Sequence, residues 1–139
     1  MERQERREQI LNILAAGIRK VLLNTVPKPE ELQEIRMRLG QPLRAVQGKE
    51  EIVLRSGTEP YIVTKEELRE TMDYISHYSL YAYENELRQG FVTVEGGHRV
   101  GVAGKVIMEK ERVKNIQYIS SLNIRVSHEV LGCADRLIP

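Results

Sequence analysis

Apolar residues recur at helical spacing near the start of the chain and at strand spacing over most of the remainder. Ile10, Leu14, Ile18, Val21 and Leu22 fall on one face of a helix predicted over residues 4–23, with Leu11 widening the stripe. Pro27 and Pro29 end that element and open a short connection. From Glu34 to Gly40 charged and apolar residues alternate, which fits a strand with one wet face or a short helix continuing from Pro29. Residues 43–46 and 52–54 are short apolar runs separated by Gly48, and residues 61–63 are a further strand candidate. Thr64 followed by Glu67 spells a capping box for a helix carrying Leu68, Met72, Ile75 and Tyr78 on one face. A second short helix is predicted over residues 80–87, stopped by Gly90.

The second half reads as strands. Residues 91–95 and 98–103 alternate on either side of Gly96-Gly97, a pair able to supply the positive φ angles of a tight two-residue turn. Such a turn would set Glu95 opposite His98, Val94 opposite Arg99 and Val92 opposite Gly101. Arg99, Gly101, Ala103 and Lys105 then share one face, two cations among small residues. Residues 113–119 and 122–126 follow as two more strands, the last with Leu122, Ile124 and Val126 inward and Asn123, Arg125 and Ser127 outward. Tight turns between strands, with helices set apart, predict an α+β domain with an antiparallel sheet covered by helices on one face. Residues 134–139 resemble the start of a further helix, and the expectation is of a fragment with a C-terminal neighbour.

Composition narrows the function classes. A chain of 139 residues with 41% hydrophobic and 29% charged residues has one domain's worth of core. The formal charge of +1 argues against a dedicated non-specific nucleic-acid binder, whose affinity comes from counterion release. Residues 88–139 nevertheless hold eight Lys or Arg against five Asp or Glu. The single Cys133 cannot form an internal disulfide, and His77, His98 and His128 are too scattered to spell a zinc site. No run approaches a membrane span, and the charged start lacks a signal-peptide layout, so the expected compartment is cytoplasmic.

Most chemical candidates fail on their own terms. A Walker A loop needs Ser or Thr after Gly-Lys and a Gly five positions before that Gly. Gly104-Lys105 is followed by Val106, and position 99 is Arg. Gly97, Gly101 and Gly104 do not have dinucleotide-binding spacing. His98 has no nucleophile or metal set around it, and Glu95–His98 reads as a cross-strand pair. Tyr74, Tyr78, Tyr81 and Tyr83 could stack on bases, but a chain with one Phe and no Trp needs those rings in its core. Cys133 reads as a small buried residue. Arg99 and Arg125 are left: each sits between apolar neighbours on a strand, which fixes the backbone and lets a planar cation project toward phosphate or carboxylate. The competing reading is an ordinary solvated arginine or a salt bridge to Glu86 or Glu95. A rival from another class is a single-stranded nucleic-acid-binding module that uses Arg88, Arg99, Lys105, Lys114 and Arg125 as a basic sheet face.

Six blocks in order, beginning at Glu34, Tyr78, Glu86, Gly96, Ser120 and Gly132 (EIRMRLGQP, YSLYAYE, ELRQG, GGHRVG, SSLNIRVS and GCAD), resemble the stage III sporulation protein AA family of endospore-forming bacteria. The resemblance implies a parent protein that is a ring-forming ATPase, a hexamer related to the motors of type II and type IV secretion and pilus retraction. The hydrophobic pattern sets residues 1–28 apart as an N-terminal amphipathic helix and linker, and the resemblance implies that residues 29–139 are a PAS-like N-terminal domain. The RecA-like domain with its P-loop would then lie outside this chain. No cofactor is then expected in this fragment, while the full-length protein would bind ATP and Mg. Arg99 and Arg125 would sense the nucleotide held by the RecA-like domain, and Arg88, His98 and Lys105 would form a candidate contact surface. The implied partners are that RecA-like domain, neighbouring subunits and membrane proteins of a channel between mother cell and forespore, with no nucleic acid. The implied location is the mother-cell cytoplasm, peripheral at the forespore membrane.

Overall fold

A computed structural model of the chain describes residues 2–109 and 112–128. The predicted single N-terminal helix is two: α1 (Glu2–Asn12) and α2 (Ala16–Thr25). Ile13, Leu14 and Ala15 are all buried, which one straight helix with a single apolar stripe cannot achieve. Breaking the helix there leaves backbone groups that need partners, and they are found within the chain. The Ala15 amide donates to Thr71 Oγ1 at 3.0 Å and the Ala16 amide to Glu70 Oε2 at 2.8 Å. Arg19 donates from Nε to the Leu11 carbonyl and from Nη2 to the Leu14 carbonyl, both at 3.0 Å.

After a 3-10 turn at Pro29–Glu31 come β1 (Glu34–Arg38), β2 (Arg44–Gln47) and β3 (Glu50–Val53), then a small hairpin of β4 (Arg55–Ser56) and β5 (Glu59–Pro60). The expected strand at residues 61–63 is reduced to an isolated bridge between Pro42 and Ile62. Helix α3 (Lys65–His77) opens with the predicted capping box: the Glu67 amide donates to Thr64 Oγ1 at 3.2 Å and the Thr64 amide to Glu67 Oε1 at 2.9 Å. Helix α4 (Tyr83–Gln89) starts three residues later than expected and ends at Gly90, left-handed at φ 90°.

The remaining strands are β6 (Phe91–Val94), β7 (His98–Glu109) and β8 (Arg112–Arg125). Residues 113–119 and 122–126, expected as two strands, lie along one. All six main strands pair antiparallel in the order β3-β2-β1-β8-β7-β6. Beyond Ala103 and Ser121 the β7–β8 pair continues as a two-stranded ribbon with three register irregularities.

One core fills the space between sheet and helices. Ile10, Leu14, Ile18 and Leu22 from the first two helices join Leu68 and Ile75 of α3 and Leu87 of α4 against Ile35, Met37, Val92, Val100, Leu122 and Ile124 of the sheet. The first helices are thus part of the same hydrophobic cluster as the strands. Tyr74, Tyr78 and Tyr83 pack on it partly buried, as their expected core role requires, whereas Tyr81 is 66% exposed. The β6 edge is closed by Glu86, which accepts from the Thr93 amide and, at 3.0 Å, from its hydroxyl. Among the described residues no helix is long and apolar enough to cross a membrane.

Candidate functional site

Period-two alternation gives the sheet a buried face and an open one. The residues between the buried positions lie on the open face, and the register arranges them in rows. Thr93, Arg99, Arg125, Glu34 and Val46 are successive cross-strand partners, and Phe91, Gly101, Asn123, Arg36 and Arg44 form the next row. The structure therefore brings the two predicted arginines together as direct neighbours, Arg99 on β7 opposite Arg125 on β8.

Like charges directly opposite repel, so the pair needs compensation. Arg125 receives it from Glu34, Nε to Oε1 at 3.3 Å. Glu34 also accepts from Arg36 Nε at 2.6 Å and from Asn123 Nδ2 at 3.0 Å. Burial raises the Glu34 pKa, but these hydrogen bonds and the Arg36 and Arg125 charges outweigh it and hold the carboxyl below its ordinary value. Arg36 reaches on to Glu51 at 3.0 Å, and Arg44 to the same carboxylate at 3.4 Å. Arg99 is placed differently. Its guanidinium lies 4.6 Å from the centroid of the Phe91 ring, a cation–π contact, and among the described residues it has no carboxylate partner. Neither Glu86 nor Glu95 takes it up.

Among the described residues the open face carries Arg36, Arg38, Arg44, Arg99 and Arg125 against Glu34 and Glu51. An excess of planar cations on a rigid sheet recognises anions, above all phosphate or carboxylate groups that can accept two hydrogen bonds at once. No histidine or cysteine sits in these two rows.

The other expected site residues fall elsewhere. The loop between β6 and β7 has three residues, Glu95, Gly96 and Gly97, and Val94 rather than Glu95 faces His98. Gly96 and Gly97 both have positive φ, and the Gly97 amide closes the turn on the Val94 carbonyl at 2.9 Å. Against the expected two-residue turn this shifts each partner by one, pairing Arg99 with Thr93 and Gly101 with Phe91. His98, expected on a contact surface, is only 1% exposed. Its Nδ1 accepts from the Ser127 amide at 2.9 Å, so Nε2 carries the proton and donates to Gln9 Oε1 at 2.8 Å. Burial, helped by the nearby charges of Arg6 and His128, pushes its pKa down to about 4. The ring is a neutral strut tying α1 to the hairpin and to the end of β8.

Lys105 is exposed on the ribbon, past the irregularity between Ala103 and Gly104. Arg88 lies in the last turn of α4, where it lines a shallow pocket with Ala82, Tyr83, Glu84 and Asn85. The five cations of the nucleic-acid reading thus do not share one sheet face. The side chain of Lys114, Cys133 and the expected helix at 134–139 lie outside the described residues. Sequence reasoning set Asn123 outward beside Arg125 but missed Glu34, Arg36, Arg44 and Phe91 as parts of the face. The alternation of residues 34–38 signalled a wet-faced strand, but nothing local says that it lies beside β8.

The family described as sporulation stage III, protein AA matches residues 4–139. Stage III sporulation protein AA of Bacillus subtilis (strain 168) is 35% identical over 133 residues, covering 94% of this chain and 41% of that protein. The chain thus spans less than half the length of this curated relative. No solved structure matches.

Proposed function

The chain belongs to the sporulation stage III, protein AA family, and from that premise we propose that it is the non-catalytic regulatory and assembly part of a sporulation ATPase. The parent protein, in this reading, hydrolyses ATP with Mg in a RecA-like domain to drive a channel complex between mother cell and forespore. The open sheet face turns toward that domain or a neighbouring subunit, and Arg99 and Arg125 read the nucleotide phosphates. Ring contacts and docking to membrane partners use the exposed surface around it, including Arg88 and Lys105.

The observation that supports this most is the pairing of Arg99 with Arg125 at one cross-strand position on a face with more guanidinium groups than carboxylates. Two planar cations held by a rigid sheet are suited to the charge that develops on transferring phosphates. Coupling through them would link nucleotide state to the angle between domains. The nucleic-acid alternative is less well served, because Phe91, an aromatic ring on this face, is already covered by Arg99.

The test is ATP turnover by this chain beside turnover by the full-length protein. Activity only in the longer protein is the expected result. Turnover by the 139-residue chain itself would overturn the non-catalytic assignment.

A further inference from the structure

Glu34 and Arg125 are held to very different degrees. The Glu34 side chain is 13% exposed and is anchored by Arg36 at 2.6 Å and Asn123 at 3.0 Å. The Arg125 side chain is 73% exposed and touches Glu34 through a single nitrogen at 3.3 Å. If Arg125 leaves, Glu34 keeps its other two partners and no unpaired charge is left behind. The carboxylate is thus the fixed member of the pair and the guanidinium the movable one.

We infer that Glu34 is a built-in competitor for the anion bound by Arg99 and Arg125, parking Arg125 until a phosphate group carrying more than one charge displaces it. This rests on the phosphate-reading role proposed above and adds how that site is regulated. An exposed ion pair with one contact is weak and readily exchanged. A multiply charged phosphate offers several oxygens and can take paired hydrogen bonds from Arg125 while its remaining charge meets Arg99. A monoanion offers little more than Glu34 already does. The face therefore responds to polyphosphate chains and not to monovalent anions. Arg99, stacked on Phe91 without a carboxylate partner among the described residues, is the standing half of the site.

The probe is sodium tripolyphosphate, titrated into the chain while the arginine Nε–H resonances are followed by NMR. Glu34→Gln removes the competitor and is expected to tighten binding about three- to tenfold, the range of a lost exposed pair plus lost repulsion. Glu51→Gln removes the same charge from the same face without touching Arg125, and is expected to change binding by less than about twofold. Arg99→Ala should abolish the shifts at Arg125 in either background. If Glu34→Gln does not fold, Glu34→Asp, which draws the carboxylate back, should tighten binding by a smaller factor. Equal tightening by the Glu34 and Glu51 variants, or none from either Glu34 variant, would overturn the inference. No binding by any variant would overturn the phosphate-reading role along with it. Loss of the ATPase role in the full-length protein, with tripolyphosphate binding still strengthened by Glu34→Gln, would remove only the proposed function.

Discussion

Acidification should weaken this fold through one buried ring, and the size of the effect can be worked out. His98 is neutral in the folded protein because burial disfavours its charged form, helped by the nearby charges of Arg6 and His128, and its Nδ1 already accepts the Ser127 amide at 2.9 Å. A proton added there would face another donor in a site 1% exposed to water. The folded pKa of about 4 lies below the ordinary 6.5 that the unfolded chain should show. Between those values the unfolded state binds the proton and the folded state does not, so stability rises with pH across the window. The contribution is complete above the unfolded value, is lost as pH falls from about 6.5 toward 4, and changes no further below that. At about 1.4 kcal/mol per pH unit the total is on the order of 3 kcal/mol. Urea unfolding followed by circular dichroism at several values between pH 7.5 and 4 measures it. His98→Asn, which cannot titrate, should be less stable at pH 7.5 but should lose most of the slope above pH 4.5. A slope that survives the substitution, or a His98 resonance titrating near 6.5 in the folded protein, would refute the argument.

Two further substitutions test local claims. Thr64→Ala removes the side-chain half of the capping box at the start of α3 and should cost about 1 kcal/mol in urea unfolding, with Thr64→Ser restoring most of it. At Gly104 a Cβ would meet the backbone of Tyr118 and Ile119 across the ribbon. Gly104→Ala should therefore disturb amide shifts along the β7–β8 ribbon and leave those of α3 in place, as an HSQC spectrum will show.

What could be read from the sequence is what neighbouring residues decide between themselves. Thr64 and Glu67 cap α3 across three positions, Gly90 ends α4 by its own φ, and Leu122, Ile124 and Val126 alternate inward along and just past β8. What could not be read depends on distant partners. The break between α1 and α2 is stabilised by Thr71 and Glu70, more than fifty residues away. The hairpin register turned on whether Glu95 belongs to the strand or to the loop, and the Gly96-Gly97 pair is compatible with either. His98 sits on the Val100 face of β7 in either register, and its burial comes from Gln9 of α1, a partner distant in sequence. At the site, alternation alone put Arg99 and Arg125 on wet faces. Their adjacency, and the carboxylate that compensates one of them, required the β1–β8–β7 order.

The central claim is that this arginine face reads the nucleotide of the parent ATPase. Turnover by the full-length protein carrying Arg99→Ala or Arg125→Ala tests it most directly, with thermal melting to confirm that each variant folds. The account predicts that kcat falls at least about tenfold in each variant, since arginines that stabilise transferring phosphates act on the chemical step. Unchanged turnover in both folded variants would contradict it.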